Sequence, residues 1–210
     1  MLDQSIEALR GRIPHILEHE KAVKSAVLLP LVQYQGETCV LFEKRASTLK
    51  QQPGEICFPG GAIEADDEGK AAAAIRETCE ELGLQPEDID LIAPLDIMIT
   101  PFNFIIYAYA GYIEDYNKIS PNQDEVEEVF CVPLNYLLRN KPILKKMSLK
   151  MDAPADYPYE LIPYGKNYPF RQATYPQHFF IWHEYVIWGM TARILNHFLE
   201  LLKEDARETC

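Results

Sequence analysis

The sequence is short of positive charge, of paired cysteines and of long apolar runs, and each shortage removes a class of function. Lys and Arg number 20 against 32 Asp and Glu, a formal net charge of −12. Such a surface repels a polynucleotide backbone and an anionic membrane, so neither a nucleic-acid nor a membrane partner is expected. A phosphorylated small molecule meets the same repulsion unless local cations or a bound metal offset it. The cysteines (Cys39, Cys57, Cys79, Cys131 and Cys210) are odd in number and form no CxxC pair. Neither a disulfide framework nor a structural zinc site follows, and reduced thiols in the cytoplasm are the expectation. The opening MLDQSIEALRGR meets acidic and polar residues at once and holds no apolar stretch of signal-peptide or membrane-span length.

What is present is an ordinary globular composition, 48% hydrophobic and 25% charged over 210 residues, which suits a single domain spanning 1–210. Ile6, Leu9, Ile13, Ile16 and Leu17 recur near helical spacing, interrupted by Gly11 and Pro14, and predict a broken leading helix over about 4–20 that packs on the domain. AVLLPLVQY and TCVLFEKR flank Gln35-Gly36-Glu37 as a hairpin. Residues 46–61 form a loop ending in Phe58-Pro59-Gly60-Gly61, and Glu68–Leu82 reads as a helix stopped by Gly83. Strands are expected around the Pro-Phe-Asn turn within 91–113 and over Val126–Val132. A Tyr- and Pro-rich surface excursion covers 152–176, a strand follows over 178–186, and a helix over about 189–203 closes the chain. This is an α+β pattern with mixed strands.

The chemistry sits on the central helix. Glu77, Glu80 and Glu81 stand at i, i+3 and i+4, which puts three carboxylates on one face, with Asp67 and Glu68 near its start. Like charges at this spacing cost about 0.2–0.5 kcal/mol per pair in an isolated helix. Acidic helix faces are ordinarily just solvated, but a divalent cation would offset this repulsion. Mg²⁺ prefers carboxylate oxygens and completes its shell with substrate phosphates. Arg76 is placed to hold a carboxylate by paired hydrogen bonds, and Gly60 and Gly61 let the backbone approach metal or phosphate closely.

Gly61, Asp67 or Glu68, Arg76-Glu77, Glu80-Glu81 and Gly83-Leu84 together resemble the signature of the Nudix hydrolases, spanning about 60–84. The resemblance implies a mixed β-sheet sandwiched between α-helices. It also implies hydrolysis of a diphosphate bond with Mg²⁺ or Mn²⁺ held by Glu77, Glu80, Glu81 and Gly61, with Arg76, Glu77, Glu80 and Glu125 in the catalytic set. Two departures stand out: eight residues separate Asp67 from Arg76 where the pattern has seven, and Thr78 occupies a usually aliphatic place.

Upstream, Leu41-Phe42-Glu43-Lys44-Arg45, Lys50, Gly54 and Phe58-Pro59-Gly60-Gly61 resemble the additional motif of the coenzyme A diphosphatases within that family. Ala46 and Lys50 depart from the subgroup's usual Ser and Arg. This likeness implies a coenzyme A-like nucleotide as substrate, with Arg45, Lys50, Phe58 and Gly60 at the substrate. The closing helix offers a surface through which two copies could pair as a homodimer. Rival expectations are another nucleoside diphosphate derivative, such as ADP-ribose, a dinucleotide or a nucleoside triphosphate, or a Nudix fold that binds a nucleotide without cleaving it.

Overall fold

A computed structural model describes residues 6–14 and 16–208. Its centre is β1 (Val23–Tyr34), which turns through Gln35-Gly36 into β2 (Glu37–Arg45). Gln35 and Gly36 both take positive φ, 51° and 82°, the geometry that a two-residue hairpin with natural strand twist requires. On its other edge β1 runs parallel to β7 (Phe104–Ile113) over ten paired residues, from Val23 opposite Phe104 to Val32 opposite Ile113. The short strands β3 (Ile56–Cys57) and β4 (Gly60–Ala62) pair with β2 and β1. β5 (Ile89–Pro94) and β6 (Met98–Ile99) pair with β7, and β8 (Val126–Pro133) pairs with β2. A three-stranded sheet of β9 (Ile143–Leu149), β10 (Ala173–Trp182) and β11 (Tyr185–Ile187) completes the strands.

Because β1 is central, side chains on both its faces are buried and its sequence is almost continuously apolar. Val27, Leu29 and Leu31 join one core with Phe42, Phe130 and the closing helix α3 (Gly189–Glu208). Ala26, Leu28 and Val32 face the opposite way, into cores shared with helix α1 (Lys70–Leu82). A short α2 (Leu134–Arg139) follows β8. The mixed sheet is thus sandwiched between helices in an α+β fold, as expected.

The leading segment differs from its expectation. Residues 6–7 are helical, 8–11 are turns, 12–14 are irregular and a 3-10 turn covers His19–Lys21, while residues 4, 5 and 15 lie outside the described residues. Ile13 is 74% exposed and Leu17 90% exposed, so the apolar positions find no groove to pack into. Helical spacing alone does not make a helix when Gly11 and Pro14 break it and no surface buries its stripe. The Tyr- and Pro-rich segment is shorter than expected, since its last residues already belong to β10, which pairs with β9 from Ala173 to Phe179.

Candidate active site

Helix α1 begins after Gly69 and ends at Gly83, whose φ of 67° is the left-handed stop that glycine favours. Its three glutamates share a side but differ sharply in environment. The Glu80 side chain is 56% exposed, Glu77 18% and Glu81 only 5%. Glu81 is therefore part of the buried surface of the helix together with Ala74, Thr78 and Leu82.

Arg76 organises this face. Its Nε and Nη2 donate to the two oxygens of Asp67, at 3.0 and 3.2 Å. Nη1 donates to Glu77 Oε1 at 3.0 Å and Glu80 Oε2 at 3.2 Å, and Nη2 also reaches the Ala62 carbonyl at 3.1 Å. One planar fork thus locks the loop, the strand β4 and two carboxylates in a single arrangement. The choice between Asp67 and Glu68 falls to Asp67, which also accepts from the Glu64 amide at 2.8 Å. Asp67, Glu68 and Gly69 all precede the helix, which begins at Lys70. Thr78 is completely buried and its hydroxyl donates to the Ala74 carbonyl at 2.7 Å, so it packs like an aliphatic residue without leaving a polar atom unpaired.

The glycines serve as close-approach points. The Gly60 amide donates to Glu81 Oε2 at 2.8 Å. Its φ is +146°, and a Cβ there would run into the Ala26 carbonyl and Val27. A Cβ on Gly61 would overlap the carboxyl group of Glu77, so this carboxylate lies directly on the Gly61 backbone. Phe58 corrects the expectation that it meets substrate. Its side chain is 3% exposed and stacks on Phe42 with ring centroids 5.0 Å apart, so it belongs to the core.

Arg45 approaches from β2, with Nη1 4.0 Å from Glu81 Oε1. Glu125, in the turn just before β8, adds its negative charge to both Glu43 and Glu77, which places it beside the cluster. Lys50, on the loop after β2, is exposed and makes no hydrogen bond or ion pair among the described residues. Arg76, Glu77, Glu80, Glu81, Glu125, Arg45, Gly60 and Gly61 are therefore brought together, whereas Phe58 is withdrawn into the core and Lys50 stands apart.

Sequence reasoning missed Glu43. It is 1% exposed, accepts from the Cys57 thiol at 3.1 Å, and its Oε2 has no hydrogen-bond partner. Burial pushes its carboxyl up to about 7. Burial, followed by the charge of Glu43, pushes Glu81 up to about 9. The available signal was parity: Leu41, Glu43 and Arg45 alternate along β2, so they share the face that Leu41 buries. A buried carboxylate with an oxygen that accepts no hydrogen bond, beside a second carboxylate driven up by burial, is a place where added positive charge lowers the free energy.

A family model for the NUDIX domain matches residues 23–151, which contain all of these groups. The chain belongs to the Nudix family. This Nudix chain is 35% identical over 128 residues to the peroxisomal coenzyme A diphosphatase NUDT7 of Mus musculus, covering 61% of this chain and 54% of that one. The chain thus spans only about half the length of that relative. It is 30% identical over 184 residues to Nudix hydrolase 3 of Caenorhabditis elegans, covering 86% of this chain and 73% of that one. Among solved structures, a MutT/nudix family protein from Enterococcus faecalis superposes with a TM-score of 0.50 at 14% identity, covering 97% of this chain and 70% of that one, which supports the shared fold. Among the described residues, no helix of this Nudix-family chain is long and apolar enough to cross a membrane.

Proposed function

We propose that the chain hydrolyses the diphosphate bridge of coenzyme A or one of its derivatives, giving 3′,5′-ADP and 4′-phosphopantetheine or its derivative. The observation that carries this reading is the placement of Arg45 against Glu81. The upstream stretch that resembles the coenzyme A subgroup delivers a guanidinium to the carboxylates of the Nudix helix. There it can meet a substrate phosphate by charge-assisted hydrogen bonds, in a molecule whose net charge otherwise repels one. The mouse relative named as a coenzyme A diphosphatase supports the same substrate class.

Mg²⁺ or Mn²⁺ suits the donor set, which is carboxylate oxygen throughout: Glu77, Glu80 and Glu81, with the Gly61 backbone alongside. The metal, when bound, activates water and neutralises charge on the departing phosphate. Among the described residues no three acidic, His or Cys side chains yet stand together as a finished ligand set, and Arg76 takes an oxygen from Glu77 and from Glu80. Arg76 therefore acts as the holder that keeps these carboxylates close, while the Gly60 amide fixes Glu81. We assign Glu125, which lies beside the cluster and is not held by Arg76, the part of taking a proton from the attacking water.

Product analysis by mass spectrometry tests this. The chain is incubated separately with coenzyme A, ADP-ribose, NADH and dGTP, in Mg²⁺ or in EDTA. Metal-dependent 3′,5′-ADP and 4′-phosphopantetheine from coenzyme A alone is the expected result. Preferential cleavage of another compound would keep Nudix hydrolysis and discard the coenzyme A assignment. Cytoplasmic residence is our reading of the free thiols, against a mouse relative named as peroxisomal; imaging a fluorescent fusion decides between the two compartments.

A further inference from the structure

On the sheet face opposite helix α1, a cavity of about 310 Å³ opens between the β5–β6 connection and helix α3. Leu95, Met98 and Ile194 give it apolar walls, and Ile97 stands at its mouth, 51% exposed. The connection is anchored on both sides, by the Leu95 amide donating to the Ala108 carbonyl at 2.8 Å and by Met98 pairing opposite Ile106. The cavity is therefore built from fixed elements.

Two nitrogen-bearing side chains enter it from successive turns of α3. Arg193 lies over the Tyr175 ring, 4.8 Å from its centroid, and donates to the Tyr175 hydroxyl at 2.6 Å. This contact holds the guanidinium in one orientation without cancelling its charge, and no carboxylate pairs with it among the described residues. Burial first, and then the nearby Arg193 charge, pull His178 below the ordinary histidine range. His197 presents Nε2 to the same cavity. That atom is buried and forms no hydrogen bond, although Asp96 Oδ2 lies 3.1 Å away, because the alignment is poor. The Asp96 side chain is 85% exposed and so free to leave.

We propose that this cavity is a binding site for a small carboxylate with an apolar tail, the carboxylate bridging Arg193 and His197 and the tail lying against Leu95, Met98 and Ile194. A volume of about 310 Å³ is at the small end of ligand pockets, and the lining mixes apolar side chains with Arg193, His197 and Asp96 in comparable measure, as an amphipathic ligand requires. A planar carboxylate matches the guanidinium fork and offers a second oxygen to the histidine N–H. Asp96 occupies the histidine weakly in the meantime, and the ligand carboxylate takes its place. The site is separate from the Nudix carboxylates and does not depend on which diphosphate they cleave.

Octanoate is the probe, titrated into the full chain by isothermal calorimetry, with 1-octanol, octylamine and inorganic phosphate as controls. Saturable octanoate binding with no heat from the controls is expected. Arg193→Met keeps bulk and removes the charge-assisted contact, and should weaken octanoate at least about tenfold. Asp96→Asn removes the competing carboxylate and should tighten it about threefold. Should Arg193→Met not fold, Ile97→Asp at the exposed mouth places a negative charge in the approach and should weaken octanoate without disturbing the core. No octanoate binding by the unaltered chain would overturn the proposal, as would equal binding by octanol or unchanged affinity in both Arg193→Met and Ile97→Asp.

Discussion

The Gly60 amide donates a 2.8 Å hydrogen bond to Glu81 Oε2, and this bond ties the start of β4 to helix α1. A backbone donor cannot be removed by mutating a side chain, so the donor half of this bond is reached by mutation only through the geometry of Gly60. With φ at +146° and the Ala26 carbonyl where a Cβ would lie, Gly60→Ala combines backbone strain with overpacking. A loss of about 2–4 kcal/mol in urea unfolding is expected, with turnover falling alongside. Wild-type stability would show that the loop has another arrangement.

Arg76 should not be replaceable by lysine. Arg76→Lys keeps the charge but cannot reach Asp67, Glu77, Glu80 and the Ala62 carbonyl at once. Metal affinity or turnover should drop roughly 10–100-fold, the range seen when groups that orient metal ligands are altered. Measuring the Mg²⁺ concentration for half-maximal rate in Arg76→Lys and Asp67→Asn checks this. An unchanged value in both would remove Arg76 from the positioning role.

Glu81 sets a pH dependence with a definite sign in metal-free protein. Burial first, then the Glu43 charge, raise its folded pKa from the ordinary 4.5 to about 9. The folded chain therefore binds a proton that the unfolded chain releases above 4.5, and stability falls as pH rises from there toward 9. Glu81→Gln should flatten that fall and raise the metal-free melting temperature at pH 8, while abolishing turnover. Thermal melts in EDTA across pH 5–9 measure both, and a steeper decline in the variant would contradict the assignment.

Thr78→Val tests the departure from the family pattern. The hydroxyl bonds only to a carbonyl within its own helix, and the site is fully buried, so exchanging it for a methyl leaves the shape intact. A stability change within about 1 kcal/mol is expected, and an unchanged turnover rate. A loss of several kcal/mol would show that the hydroxyl does more than fill space.

Much of this was legible in the sequence because the decisive patterns are local. The hairpin announces itself at Gln35-Gly36, helix α1 at its Gly83 stop, and the glutamate face at three positions within one turn and a half. What escaped was set by partners distant in sequence. Glu43 looks like a solvated strand residue until α1 and Cys57 close over it. Phe58 looks like part of a binding motif until Phe42 claims it. β9, reading ILKKMSL and exposed along nearly its whole length, carries no burial pattern and becomes a strand only through its ladder to β10. The apolar spacing of residues 6–17 misled for the converse reason, since periodicity describes a face and not whether anything covers it.

The ten-residue parallel pairing of β1 with β7 has a consequence for the order of assembly. Val23 meets Phe104, more than eighty positions later in the chain, and helix α1 lies wholly within the intervening loop. Parallel crossovers of such span close slowly, because the entropy of the loop is lost before the contacts form. During synthesis, every acidic residue of α1 leaves the ribosome before the strand that completes its platform, and Glu125 follows later still. Hydrolytic competence should therefore appear late and all at once, making the activity itself a reporter of the finished sheet.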